Sequence, residues 1–189
     1  MADTPRTLPD WHSTLPDSPV LQHWLLNEGS LTRLLRELSD GDFRVQPVCE
    51  GWQPLRADEC QALGCTPGTE GWVREVFLLG QQQPWIYARS VASRAALEAD
   101  GFDLAGLGSR SLGELLFSDD AFTRGTFEVC CLPADARPAR LLEGMPGSAP
   151  LWARRSCFAR NGLRVLVAEA FLPAFWSRLD YQPPGFTAP

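Results

Sequence analysis

The chain has 189 residues, of which 44% are apolar and 21% charged, the composition of one folded domain rather than of long disorder. With 23 acidic against 17 basic residues the net charge is -6, which makes the chain a poor candidate for binding nucleic acid or anionic membrane through bulk charge. All 17 basic residues are arginine, so Schiff-base and pyridoxal-phosphate chemistry and the lysine-bearing phosphate loop are excluded, and His12 and His23 leave little for histidine metal sites or Ser/Cys-His nucleophiles.

Residues 1–17 carry Pro5, Pro9 and Pro16 among polar neighbours and read as an extended lead-in. They hold no basic region leading into an apolar run, so no secretory signal is expected. Ser18-Pro19 opens a helix, with serine at the N-cap and proline in the first turn, and Val20, Leu21, Trp24 and Leu25 follow at helical spacing. Gly29 ends it. Ser30 starts a second short helix with Leu31, Leu34, Leu35 and Leu38 on one face. The pair forms a helical hairpin.

A strand is predicted from Phe43 to Cys49, then a turn-rich stretch over residues 50–71. Trp72 to Leu79 and Trp85 to Ala92 form a hairpin through Gly80-Gln81-Gln82-Gln83. Helices follow at residues 93–100 and 111–117, around a glycine-bearing loop. Strands return over Thr123 to Leu132, Leu151 to Ala159 and Leu163 to Leu172, and Asn161-Gly162 marks a tight hairpin. Residues 181–189 are rich in proline and glycine. About six strands joined as hairpins, with helices grouped between them, predict an α+β fold: an antiparallel sheet with helices on one side or at its ends.

The six cysteines show no C-x-x-C spacing and read as small buried hydrophobes. No apolar stretch reaches membrane-span length. A cytoplasmic protein with reduced thiols is expected.

Two strand charges stand out. Arg74 alternates onto the face of Trp72, Val76 and Leu78. Glu169 shares a face with Val165, Val167 and Phe171, and the opposite face of that strand (Leu166, Ala168, Ala170, Leu172) is apolar too. A lone buried carboxylate costs several kcal/mol unless paired or hydrogen-bonded. The bland reading is a structural Arg-Glu pair, or Arg74 tied to Glu75. The sharper one is a closed pocket with a cationic and an anionic wall, suited to a small hydroxy acid. Arg89 reads as a second anion contact or a surface charge. Arg154, Arg155, Arg160 and Arg164 read as a solvated basic sheet face.

Four motifs then carry a resemblance: Trp72-Val73-Arg74-Glu75-Val76, Pro84-Trp85-Ile86-Tyr87-Ala88-Arg89-Ser90, Leu112-Gly113-Glu114-Leu115-Leu116-Phe117 and Ala168-Glu169-Ala170-Phe171-Leu172-Pro173. In order and spacing they resemble the chorismate pyruvate-lyase family, over residues 18–173, and the helical hairpin resembles that family's N-terminal flap, which implies a single antiparallel β-sheet with helical hairpin flaps covering an internal ligand pocket. The resemblance implies removal of pyruvate from chorismate to leave 4-hydroxybenzoate, the first committed step of ubiquinone synthesis, with no cofactor and no metal; a closed pocket in turn predicts tight product inhibition. It implies that Arg74 holds the ring carboxylate and Glu169 the 4-hydroxyl, with backbone contacts at Leu112 and, from the flap, Leu31. Leu31 and Ala88 depart from the family pattern, which has methionine and glycine there; alanine narrows the pocket. The expected partners are chorismate and 4-hydroxybenzoate alone, with no nucleic acid and no membrane insertion, in a monomer. The expected division is a lead-in (1–17), a catalytic domain (18–173) and a C-terminal tail (174–189). The competing reading is a non-catalytic effector-binding domain of the same fold. The chain is short for such a sensor joined to a DNA-binding module.

Overall fold

In the computed structural model, which describes residues 8–15, 17–137, 141 and 150–184, seven strands, most of them in consecutive pairs, are interspersed with short helices. The strands are β1 (Phe43–Pro54), β2 (Glu70–Gly80), β3 (Gln83–Ser93), β4 (Thr123–Arg124), β5 (Glu128–Leu132), β6 (Leu151–Arg160) and β7 (Leu163–Phe171). The α-helices among the described residues are α1 (Pro19–Leu25), α2 (Leu31–Leu38), α3 (Ala57–Leu63), α4 (Arg94–Asp100), α5 (Leu112–Ser118) and α6 (Pro173–Arg178). All strands join one antiparallel sheet in the order β1-β2-β3-β7-β6, with β4 and β5 both pairing with β6. The predicted α+β class and single antiparallel sheet are observed.

Local chemistry explains most boundaries. Ser18 caps α1 and Ser30 caps α2, each accepting a backbone N–H of the first turn. Asn161 and Gly162 both have positive φ, the geometry a two-residue hairpin turn demands, and they join β6 to β7. Gln81 and Gln82 adopt the same left-handed geometry between β2 and β3 without being favoured there.

Three elements differ from expectation. The strand expected over Thr123 to Leu132 is two pieces, because the chain leaves the ladder at Gly125, whose N–H still reaches the Cys157 carbonyl at 2.8 Å. The turn-rich stretch holds α3, closed by Gly64 in the left-handed conformation and stabilised by Glu59, which accepts the Arg56 backbone N–H. The segment set apart as a tail opens with α6, whose Phe175 and Trp176 are buried in the main apolar cluster. Residues 185–189 lie outside the described residues.

The sheet is covered on both sides. On the front, α1 and α2 pack Leu21, Trp24, Leu25, Leu31 and Leu35 against Val76, Leu78, Ile86 and Phe171. Beside them Leu112 and Leu116 of α5 join Leu97, Val165 and Val167. On the back, Leu55, Cys60 and Leu63 cover Val73, Val91 and Leu166. Trp11 packs against the cluster holding Tyr87, Cys130 and Ala170. This double cover is why β7 is apolar on both faces. No helix among the described residues is long and apolar enough to cross a membrane.

Candidate active site

Alternation in β2, β3 and β7 brings separated residues onto one patch of the front face. Two rows run across the strands: Arg74, Ser90, Val167 and Ser156, then Val76, Ala88, Glu169 and Arg154. Arg74 and Glu169 lie in adjacent rows, two strands apart, which separates their Cα atoms by roughly 12 Å. Both line a cavity with Val45, Ala88, Ser90 and Val167 as floor and wall. Its roof is Thr32 from α2 and Ser111, Leu112 and Gly113 from the start of α5. The pocket expected between a cationic and an anionic wall is present.

Each wall charge is held by its own partner. Arg74 is 2% exposed. Its Nη1 donates to Glu50, opposite it on β1, and its Nη2 to the Arg110 carbonyl at 3.0 Å. These contacts aim a cation that cannot lose its proton. Glu169 accepts from Arg154 Nε at 2.6 Å through Oε2. Arg74 and Glu169 are therefore not each other's partner, but each stands in an Arg–Glu pair of the kind the bland reading expects, with Glu50 and with Arg154. Nor is Arg74 tied to Glu75, which points to the back of the sheet and pairs with Arg89.

The roof is two elements latched together. Thr32 and Ser111 share a buried hydroxyl–hydroxyl hydrogen bond of 2.8 Å. Outside it, Arg36 of α2 donates to Glu114 of α5 at 2.9 Å, an exposed pair worth little by itself. Ser111 also caps α5 by accepting from Glu114 N–H. The N–H groups of Leu112 and Gly113, in the first turn, have no acceptor within the helix. A Cβ on Gly113 would come within 3.3 Å of Thr32 Oγ1, so a larger residue there presses on the latch. Leu31, the other expected contact, has its side chain in the apolar cluster; its neighbour Thr32 reaches the cavity.

Two readings of single arginines are corrected. Arg89 is neither an anion contact of the cavity nor a surface charge. It is buried on the back, with Nε and Nη2 on Glu59 at 2.6 and 3.1 Å and Nη1 on Glu75 at 2.7 Å. Arg154 and Arg155 do not sit on a solvated face. They are 1% and 5% exposed, because helices and the N-terminal segment cover both sides of β6. Arg155 faces the back, donating to Glu128 at 2.8 Å and lying over the Trp11 ring at 4.6 Å.

Burial raises the carboxyl of Glu59, but the Arg89 hydrogen bond and the charges of Arg56 and Arg89 outweigh it and bring the carboxyl down to about 2. Near the cavity, burial lowers the Arg124 guanidinium to about 10; Glu169 opposes this and Arg154 reinforces it. Arg124 thus stays charged at neutral pH. Among the described residues no group of three or more His, Cys, Asp or Glu is placed to hold a metal ion.

Sequence reasoning missed Glu50, Thr32, Ser90, Ser111 and Arg154. Glu50 needed the β1–β2 register. Thr32 and Ser111 needed the approach of two elements 79 residues apart. Only Arg154 left a signal, as a charge on the strand face that also carries Trp152 and Phe158.

A sequence model of the family described as chorismate lyase matches residues 11–181. A probable chorismate pyruvate-lyase of Pseudomonas aeruginosa is 60% identical over 162 residues, 85% of this chain and 88% of that protein. One from Pseudomonas putida is 61% identical over 160 residues, 85% of this chain and 83% of that protein. Among solved structures, the effector domain of PhnF from Mycobacterium smegmatis has a TM-score of 0.55 at 16% identity, covering 79% of this chain and 91% of that one. The PhnF C-terminal domain has a TM-score of 0.55 at 16% identity, covering 71% and 86%. At such identity these two show a shared fold.

Proposed function

Because the chain belongs to the chorismate lyase family, its activity is that of a carbon–oxygen lyase acting on chorismate, and we propose that Arg74 and Glu169 are the two poles that hold the substrate. The observation that carries this reading is a roofed cavity with a buried, pre-aimed arginine at one end and a carboxylate, 12% exposed at its side chain, at the other. Arg74 binds the ring carboxylate with guanidinium donors that Glu50 and the Arg110 carbonyl orient. The N–H groups of Leu112 and Gly113 supplement it. Glu169 keeps Oε2 on Arg154 and offers Oε1 to the hydroxyl. The backbone at Leu31 borders the same roof through Thr32.

The reaction asks little of the protein beyond this. The ring–oxygen bond of the enolpyruvyl ether breaks. The hydrogen on the carbon bearing the hydroxyl moves to the enolpyruvyl methylene. The ether oxygen becomes the keto oxygen of pyruvate, and the ring aromatises. No external acid, base or oxidant enters the balance. Holding the side chain folded over the ring, in a site closed to water, supplies the acceleration by orientation and charge placement.

Purified protein with chorismate and EDTA tests this. Equal amounts of 4-hydroxybenzoate and pyruvate, above the uncatalysed background, are expected. Tight aromatic-acid binding without turnover would instead establish the effector-domain reading.

Closure has a kinetic consequence: product leaves only when the roof opens, so release limits turnover. Ala88 places its methyl on the cavity wall, beside Glu169 in the same row. Ala88→Gly removes about 0.8 kcal/mol of apolar contact, so the 4-hydroxybenzoate inhibition constant should rise roughly fourfold, with kcat rising alongside. Progress curves with added product check this. An unchanged inhibition constant would show that Ala88 does not touch the ring.

A further inference from the structure

Beside the chamber lies a buried charge that substrate binding does not use. Arg154 neighbours Glu169 in its cross-strand row and gives its Nε to the carboxylate. Its Nη1 donates to two main-chain carbonyls, those of Trp24 and Asn27, each at 3.1 Å. These carbonyls lie in the last turn of α1 and in the link to α2, where the helical hairpin over the cavity bends. Arg124 donates to the next carbonyl, that of Glu28, at 3.3 Å, and to Ser156 Oγ at 2.9 Å. Both guanidiniums stack on Phe127, at 4.7 and 4.0 Å from its ring centre. The bend of the roof is thus bonded to the cation that orients the anionic wall.

We propose that Arg154 is a positioning residue that ties recognition of the ligand hydroxyl at Glu169 to closure of the α1–α2 hairpin. This rests on the reading of Glu169 given above. A guanidinium is planar and rigid, so it cannot keep Nε on the carboxylate and Nη1 on the hairpin if either partner moves far. When the hairpin lifts, the Trp24 and Asn27 carbonyls leave and buried N–H groups of Arg154 lose their acceptors. When a hydroxyl fixes the Glu169 carboxylate, it fixes Arg154 and hence the bend. The coupling is reciprocal: a closed hairpin presents Glu169 in the orientation that takes the hydroxyl. Lysine, a single point donor, cannot bridge both sides.

The test compares wild type, Arg154→Lys and Glu169→Gln against 4-hydroxybenzoate and benzoate, which lacks the hydroxyl. Affinities come from calorimetry, and backbone hydrogen exchange is followed over residues 26–31 at matched saturation. Wild type should prefer 4-hydroxybenzoate by roughly tenfold, the worth of one charge-assisted hydrogen bond. It should also show slower exchange with that ligand than with benzoate. Arg154→Lys should lose the hydroxyl-dependent part of the protection and most of the preference, while still binding benzoate. Retention of both by Arg154→Lys overturns the inference, even if its Tm falls, because a purely structural arginine would weaken the two ligands alike. Preference in wild type without hydroxyl-dependent protection overturns it as well, and that result needs no variant to fold. If wild type has no preference and Glu169→Gln changes nothing, the assignment of Glu169 itself has failed, and the inference falls with it.

Discussion

Replacing Arg74 by methionine is expected to lower kcat/KM for chorismate by roughly two to four orders of magnitude, the kinetic equivalent of about 3–5 kcal/mol for one partner of a buried charge pair. The loss comes from two sources. The substrate carboxylate loses its bidentate partner, and the ring is no longer anchored with its hydroxyl toward Glu169. The substitution also leaves Glu50, 24% exposed at its side chain, without its guanidinium. Stability and chemistry are separable here. The double variant Arg74→Met with Glu50→Gln should regain much of the lost Tm and none of the lost activity. Arg74→Lys should rescue poorly, because an ammonium cannot serve Glu50, the Arg110 carbonyl and a carboxylate in one plane. Steady-state kinetics with thermal melts decide the matter. Near wild-type turnover in Arg74→Met would falsify the assignment of this residue.

The second large effect lies behind the sheet. Glu59 is 4% exposed, and its carboxyl sits at about 2 against an ordinary 4.5. A carboxyl held low in the folded chain stabilises above its unfolded pKa, and the contribution disappears as pH falls through the folded value. The gap corresponds to about 3 kcal/mol, present above pH 4.5 and lost progressively toward pH 2. Glu59→Gln should therefore lower Tm at pH 7 by roughly 6–12 °C for a chain of this size. It should also flatten the Tm profile between pH 4.5 and pH 2, where wild type declines. Folded Glu59→Gln protein should keep its turnover, since Glu59 faces away from the cavity. A pH 7 melt within about 1 °C of wild type would mean that the Arg56–Glu59–Arg89 cluster adds nothing net, as buried ion pairs sometimes do.

Legibility followed physical range. Period-2 alternation placed Arg74 and Glu169 on apolar faces, and that was enough to expect a pocket with two charged walls. Asn161-Gly162 located its hairpin because the turn geometry is carried by two residues. Where a feature depended on partners distant in sequence, alternation gave out. Arg154 and Arg155 looked like a solvated face because only the fold shows that both sides of β6 are covered. Arg89 looked ambiguous because its partners, Glu59 and Glu75, come from a helix in a turn-rich stretch and from the reverse side of a neighbouring strand. Helix α3 escaped notice because Gly51, Pro54, Pro67 and Gly68 crowd around seven residues whose one large apolar side chain is Leu63, and its stability comes from Cys60 and Leu63 docking on the back of the sheet.

Neighbouring residues on three strands divide their labour by direction. Arg74 faces forward and Glu75 backward; Ala88 forward and Arg89 backward; Arg154 forward and Arg155 backward. In a saturation library scored separately for cellular abundance and for turnover, tolerance should flip with residue parity along each strand. Substitutions of Glu75, Arg89 and Arg155 should deplete the protein, while many at Ala88 should spare its amount and change what it does. A lineage carrying such a sheet can rewrite its ligand in front, one forward-facing residue at a time, while the ion pairs behind keep the chain folded.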